Sequence, residues 1–79
     1  MPATSPTPRA LGATVRALRQ ERGLTIEALA DLAGMNTTYV SDIERGRANP
    51  TLYKLGSLAS ALGVRASELI AAAERASLS

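Results

Sequence analysis

The stretch that decides the fold is Ile26–Arg45, IEALADLAGMNTTYVSDIER. Two short helical segments read out of it, separated by a break at Gly34. Before the break, Ile26, Leu29, Ala30 and Ala33 recur at helical spacing, and Thr25 stands at the N-cap position. After it, Asn36 is placed to cap a second segment whose Val40 and Ile43 share one face. Sterics join the two. Helices that cross steeply need a small residue where they touch, which is Ala30. The turn needs a residue tolerant of positive φ, which is Gly34. The second helix needs apolar anchors, which are Val40 and Ile43. The spacing therefore predicts two helices set steeply around a tight turn.

The chain on either side is helical in the same way, rich in alanine and leucine. Thr7-Pro8 forms a cap and first-turn proline, and Leu11, Val15 and Leu18 make one apolar stripe up to a stop at Gly23. Asn49-Pro50-Thr51 is a turn. It starts a fourth helix carrying Leu52, Leu55, Leu58, Ala59 and Leu62, which stops at Gly63. A fifth helix runs from about Ala66 to Ala76 with Leu69, Ile70 and Ala73 on one face. No run of alternating β-branched residues signals a strand. The fold class is all-α, with five short helices around an aliphatic core, none long enough to be stable alone. Residues 1–8, MPATSPTP, hold three of the four prolines and no charged side chain. They read as a flexible N-terminal arm, which either touches DNA or has no role of its own, ahead of a domain at 9–79.

Composition bounds the chemistry. The chain has 79 residues, enough for one small domain, with no cysteine and no histidine. Disulfides and thiolate metal sites are excluded, and the commonest general base and metal ligand is missing. The seven carboxylates are scattered along the chain, and no two are spaced as an acid–base pair. No enzyme, cofactor or metal is expected. Two tyrosines are the only aromatics, too few for a platform that stacks single-stranded nucleic acid. Nine basic residues, eight of them arginine, against seven acidic give a net charge of +2, too mild to name a partner without knowing where the charges lie. No apolar run approaches the roughly 20 residues of a membrane span, so no membrane partner is expected and the cytoplasm is the default location.

Residues 11–70 resemble the Cro/lambda-repressor-like (XRE) helix-turn-helix family. The pieces QERGLT, LADLAGMN, YVSDIERGRANPTL and LASALGV follow the family's order and spacing. The segment TTYVSDIERGRANPT is similar to small controller proteins of restriction-modification systems and to phage-type repressors. The resemblance implies a compact five-helix DNA-binding domain with its helix-turn-helix at 26–45. Residues 36–45 become the recognition helix in the major groove.

That implication assigns roles. Thr37, Thr38, Ser41 and Asp42 are the candidate base readers, with Arg45 on the same face opposite Val40 and Ile43. The threonine methyls suit thymine methyls, and their hydroxyls suit base edges. Asp42 has two readings, an acceptor for a cytosine amino group or a surface pair with Arg45. Asn36, Tyr39, Arg45, Arg47, Asn49 and Thr51 surround the two ends of the recognition helix and the loop after it, and are the candidate phosphate contacts. Tyr39 is equally read as a partly buried ring with its hydroxyl in water. Two departures stand out. Ile26 replaces a glutamine common in the family and cannot make that residue's polar contact. Arg65 replaces a common capping serine. Arg19 and Glu44 match positions that pair as a salt bridge in the family.

One helix reads only about four base pairs, too few to select a genomic site. The resemblance implies a homodimer on a palindromic double-stranded operator with half-sites about 34 Å apart. Helix five, about 66–76, supplies the expected interface through Ile70 and Ala73, with Leu69 turned inward. The expected function is sequence-specific transcriptional regulation without an evident small-molecule effector. The alternative is an antitoxin or another protein-interaction module on the same fold.

Overall fold

The computed structural model describes residues 6–78. It consists of five helices: α1 (Pro8–Glu21), α2 (Ile26–Ala33), α3 (Thr37–Glu44), α4 (Leu52–Ala61) and α5 (Ala66–Ser77). Among the described residues there is no strand. No single helix there is long and apolar enough to cross a membrane.

Each helix starts where a capping side chain allows it. Thr7 accepts the Ala10 N–H at 3.0 Å, Thr25 the Ala28 N–H at 3.0 Å, Asn36 the Tyr39 N–H at 2.8 Å and Thr51 the Lys54 N–H at 3.2 Å. These bonds satisfy donors that a helix leaves unpaired at its start. Thr7 and Pro8, expected in a flexible arm, therefore belong to α1. The Thr7 N–H also donates to Ser77 Oγ at 3.2 Å, tying the start of α1 to the end of α5. Of the rest of the expected arm, Pro6 precedes the cap and residues 1–5 lie outside the described residues. α5 is the exception in capping. Arg65 has no acceptor to offer, and its own N–H donates to Glu68 Oε1 at 2.8 Å, which supplies the reciprocal half of a capping box.

The core is aliphatic. Val15, Leu29, Val40, Ile43, Leu58, Leu62, Leu69 and Ala73 are fully buried, with Leu11, Ala30 and Ala59 nearly so. Ala30 and Ile43 thus take their expected places. Gly34 ends α2 at φ +69°, where a side chain would be strained. One expectation changes: Leu52 is 76 % exposed, because α4 turns its first residue outward and packs inward from Leu55.

Helix α1 holds α3 in place by two contacts. At Gly12 the helices approach so closely that a Cβ would lie 2.2 Å from the Ile43 carbonyl oxygen. Two turns further on, Arg19 Nε donates to Glu44 Oε2 at 2.7 Å and Nη2 to Oε1 at 3.1 Å, while Nη1 donates to the Leu24 carbonyl at 2.9 Å. Just past the end of α1, Arg22 Nε donates at 2.7 Å to the carbonyl of Leu62, the C-cap of α4.

Candidate nucleic-acid interface

Helix α3 is amphipathic because its sequence has no second apolar face to bury. Val40 and Ile43 point into the core, and Thr37, Thr38 and Arg45 are exposed. Ser41 and Asp42 are half-buried. The two threonines stand at the N-terminus of the helix, where backbone N–H groups have no helical partner and the dipole favours an anion. No hydrogen bond occupies either hydroxyl in the structure.

The other end is closed by backbone. The Arg45 N–H donates to the Ser41 carbonyl at 3.0 Å, and the Arg47 N–H to the Asp42 carbonyl at 2.8 Å. This fold-back pins the start of the α3–α4 loop while leaving the side chains of Arg45, Arg47 and Asn49 exposed. Buried Pro50 and half-buried Ala48 anchor the rest of the loop. Arginines projecting from a fixed backbone suit bidentate phosphate contacts.

The sequence-selected residues lie at the two ends of α3 and in the loop after it, and they differ in what their side chains do. Asn36 and Thr51 each spend a side-chain oxygen on capping a helix. Asn36 keeps its amide N–H donors and Thr51 its hydroxyl proton. Asp42 makes no ion pair with Arg45. The ion pair on α3 is Glu44 with Arg19, whose side chains are only 5 % and 12 % exposed. Arg19 is held above its ordinary pKa, first by its hydrogen bond to Glu44. Tyr39 packs partly on the core, and Lys54 Nζ lies 5.0 Å from its ring centroid.

Ala73 is corrected: it is 0 % exposed within the single chain and seals the core under α5 beside Leu69. An alanine with no free surface cannot take part in a contact between copies. Ile70, half-buried, remains available.

Three residues were missed in the sequence. Lys54, in the first turn of α4, reaches back to Tyr39. Arg9 lies beside the end of α3, since a Cβ on Gly46 would stand 2.9 Å from its Cα. Gly12 sets the depth at which α3 sits. A glycine inside an otherwise helical run was the available signal for the last, because such a residue costs helix stability unless something approaches it closely.

Two short helices, α2 and α3, joined by a tight turn at the left-handed Gly34, with exposed polar residues on α3 and a basic loop after it, define a helix-turn-helix domain. The chain belongs to the helix-turn-helix family, whose model matches residues 15–69. It is 47 % identical over 60 residues to the HTH-type transcriptional regulator DdrOP3 of Deinococcus deserti, a match covering 76 % of this chain and 46 % of that protein. The chain thus spans less than half the length of that curated relative. Among solved structures, it matches the restriction-modification controller protein C.AhdI from Aeromonas hydrophila with a TM-score of 0.77 and 39 % identity, over 78 % of this chain and 94 % of that one. It also matches the controller protein C.Esp1396I, solved as a tetramer with its natural 35 base-pair operator. There the TM-score is 0.82 and the identity 26 %, over 91 % of this chain and 95 % of that one.

Proposed function

We infer that the protein is a sequence-specific transcriptional regulator that binds double-stranded DNA as a homodimer. The observation that carries this reading is that Thr37 and Thr38 are exposed at the N-terminus of α3, while Arg45, Arg47 and Asn49 are exposed at its other end and in the loop after it. In the major groove, the threonines would read base edges while the loop side chains hold phosphates on the rim. Ser41 and Asp42 would reach bases from their half-buried positions one turn further along. Asn36, Tyr39 and Thr51 would complete the phosphate contacts. The operator bound by C.Esp1396I supports this reading, because that protein shares the fold along nearly its whole length.

The dimer contact falls to the outer face of α5 around Ile70, without Ala73. DNA binding places the protein in the cytoplasm, on the nucleoid when bound. No catalytic role is proposed, and the family is one of DNA-binding regulators.

The test is binding of the purified protein to duplexes tiled across the region upstream of its own gene. One palindromic duplex is expected to bind at least about a thousandfold more tightly than scrambled DNA. Equal binding to every duplex, or none at low salt, would overturn the reading.

A further inference from the structure

We propose that the crevice where α1, α2 and α3 meet seats a single DNA backbone phosphate, gripped jointly by Arg16 and Arg45. The proposal rests on the DNA-binding reading above. The crevice, of about 220 Å3, is lined by Arg16, Arg19, Ile26, Ser41, Glu44 and Arg45. Three arginines and one glutamate line one small space.

The charges are not equally free. Arg19 and Glu44 neutralise each other through two hydrogen bonds, and a further Arg19 donor is spent on the Leu24 carbonyl. Among the described residues, Arg16 and Arg45 have no side-chain hydrogen bond or ion pair, and both are exposed. Two uncommitted guanidiniums therefore stand at the crevice with an excess of positive charge. Glu27, in the first turn of α2, is near enough to act on Arg19 but does not line the space. Ser41, assigned above to a base edge, lines the same space and is not needed for the phosphate. A guanidinium presents a fork of donors that matches phosphate oxygens, and two such forks suit a tetrahedral anion.

The position selects a duplex phosphate. Ser41 lies on α3 and Arg45 stands at its C-cap; the first residues of α3 are assigned to the groove floor, and phosphates line the groove's rim beside such a helix. The wall contributed by α2 is Ile26, which has no side-chain donor. Arg16 reaches in from α1 and supplies the charge that this wall lacks.

The experiment is a salt titration of binding by wild type, Arg16→Gln, Arg45→Gln and the double variant, each against the operator and a scrambled duplex. Because both arginines are exposed, melting curves should coincide. Binding slopes count phosphates neutralised, at about 0.9 per phosphate in a log–log plot. If one phosphate is shared, each single variant binds both duplexes about three- to tenfold more weakly with little change of slope, since one arginine still neutralises it, and the double variant loses about one unit of slope. Three results overturn the proposal. Arg16→Gln binds like wild type; the double variant loses about two units, meaning separate phosphates; or affinity falls on the operator alone, meaning base contact. Failure of the wild type to bind any duplex is a different result and overturns the DNA-binding reading itself.

Discussion

Gly12 lies against the carbonyl oxygen of Ile43, so close that a Cβ on Gly12 would stand 2.2 Å from it and 2.6 Å from the Glu44 carbonyl oxygen. Both obstacles are backbone, so neither can swing aside as a side chain would. Gly12→Ala should force α1 and α3 apart. Overpacking of this kind costs about 1–3 kcal/mol, and the upper end applies here because helix backbone must move. Alanine's better helix propensity returns only about 1 kcal/mol. The expected result is a net loss of about 2 kcal/mol in urea unfolding, with weaker operator binding because α3 is displaced. A variant as stable as wild type would show that the two helices are not packed at this depth.

The second clamp on α3, Arg19 with Glu44, is almost wholly buried, so its loss should be costly on one side only. Glu44→Ala leaves Arg19 buried without its partner, at a cost of about 3–5 kcal/mol. Replacing both, as Arg19→Met with Glu44→Leu, removes the stranded charge and should restore part of that loss, less the bond Arg19 gives to the Leu24 carbonyl. Thermal melts of wild type and the two variants check the order. The sign of the pH dependence also follows. Arg19 is raised above its ordinary pKa, so its contribution is fully present below the unfolded value and is lost only as pH rises through the folded one. Both lie far above neutrality, so the Arg19 share of stability should stay constant from pH 6 to 9, a window set by arginine's high pKa.

Much of this architecture was legible in the chain. Ala30, Gly34, Val40 and Ile43 announce the paired helices because their spacing has one steric solution, and the caps Thr7, Thr25, Asn36 and Thr51 mark helix starts by side-chain chemistry alone. What failed is what depends on tertiary position. Leu52 and Leu55 look equivalent in a helical run, yet only Leu55 packs on the core. Ile70 and Ala73 share a stripe, but Ala73 is sealed with Leu69 against the core while Ile70 stays half-exposed. Asp42 has an arginine three residues on, whereas the pair that forms on α3 is made across helices by Glu44. Lys54 was invisible as a neighbour of Tyr39 because fifteen residues and a loop separate them.

Base reading and phosphate holding should separate by substitution. Arg47→Ala removes an exposed loop charge and should weaken binding to operator and scrambled DNA alike, lowering the salt slope by about one unit. Thr38→Ala should leave the slope unchanged and relax preference at one symmetric position in each half-site, by about 1–3 kcal/mol for that base pair. Selection of binding sites from randomised duplexes reads both. A Thr38→Ala variant with wild-type preference would remove Thr38 from the base readers.

The dimer assignment is tested on α5. Ile70→Glu places a charge on the half-buried outer face while the sealed positions Leu69 and Ala73 stay intact. The variant should remain helical by circular dichroism and sediment as a monomer at concentrations where wild type is dimeric. Operator affinity should then fall steeply, because each half-site must be bound alone. Unchanged sedimentation would move the contact off this face of α5.

Tyr39 and Lys54 allow the two readings of the tyrosine to be told apart. The ring packs partly on the core and carries Lys54 Nζ at 5.0 Å from its centroid, an arrangement worth about 0.5–1 kcal/mol at an exposed site. Tyr39→Phe keeps ring, packing and cation contact, so stability should be unchanged to within a few tenths of a kcal/mol. If the hydroxyl donates to a phosphate, affinity for operator and scrambled DNA should fall together by about tenfold, the loss expected for a hydrogen bond to a charged group. Lys54→Met is the complementary variant: it removes the cation and keeps the tyrosine hydroxyl, and should lower both stability and salt slope. Wild-type affinity in Tyr39→Phe would mean that the residue serves DNA binding only by packing α3 against α4, and that the phosphate contact at this edge belongs to Lys54.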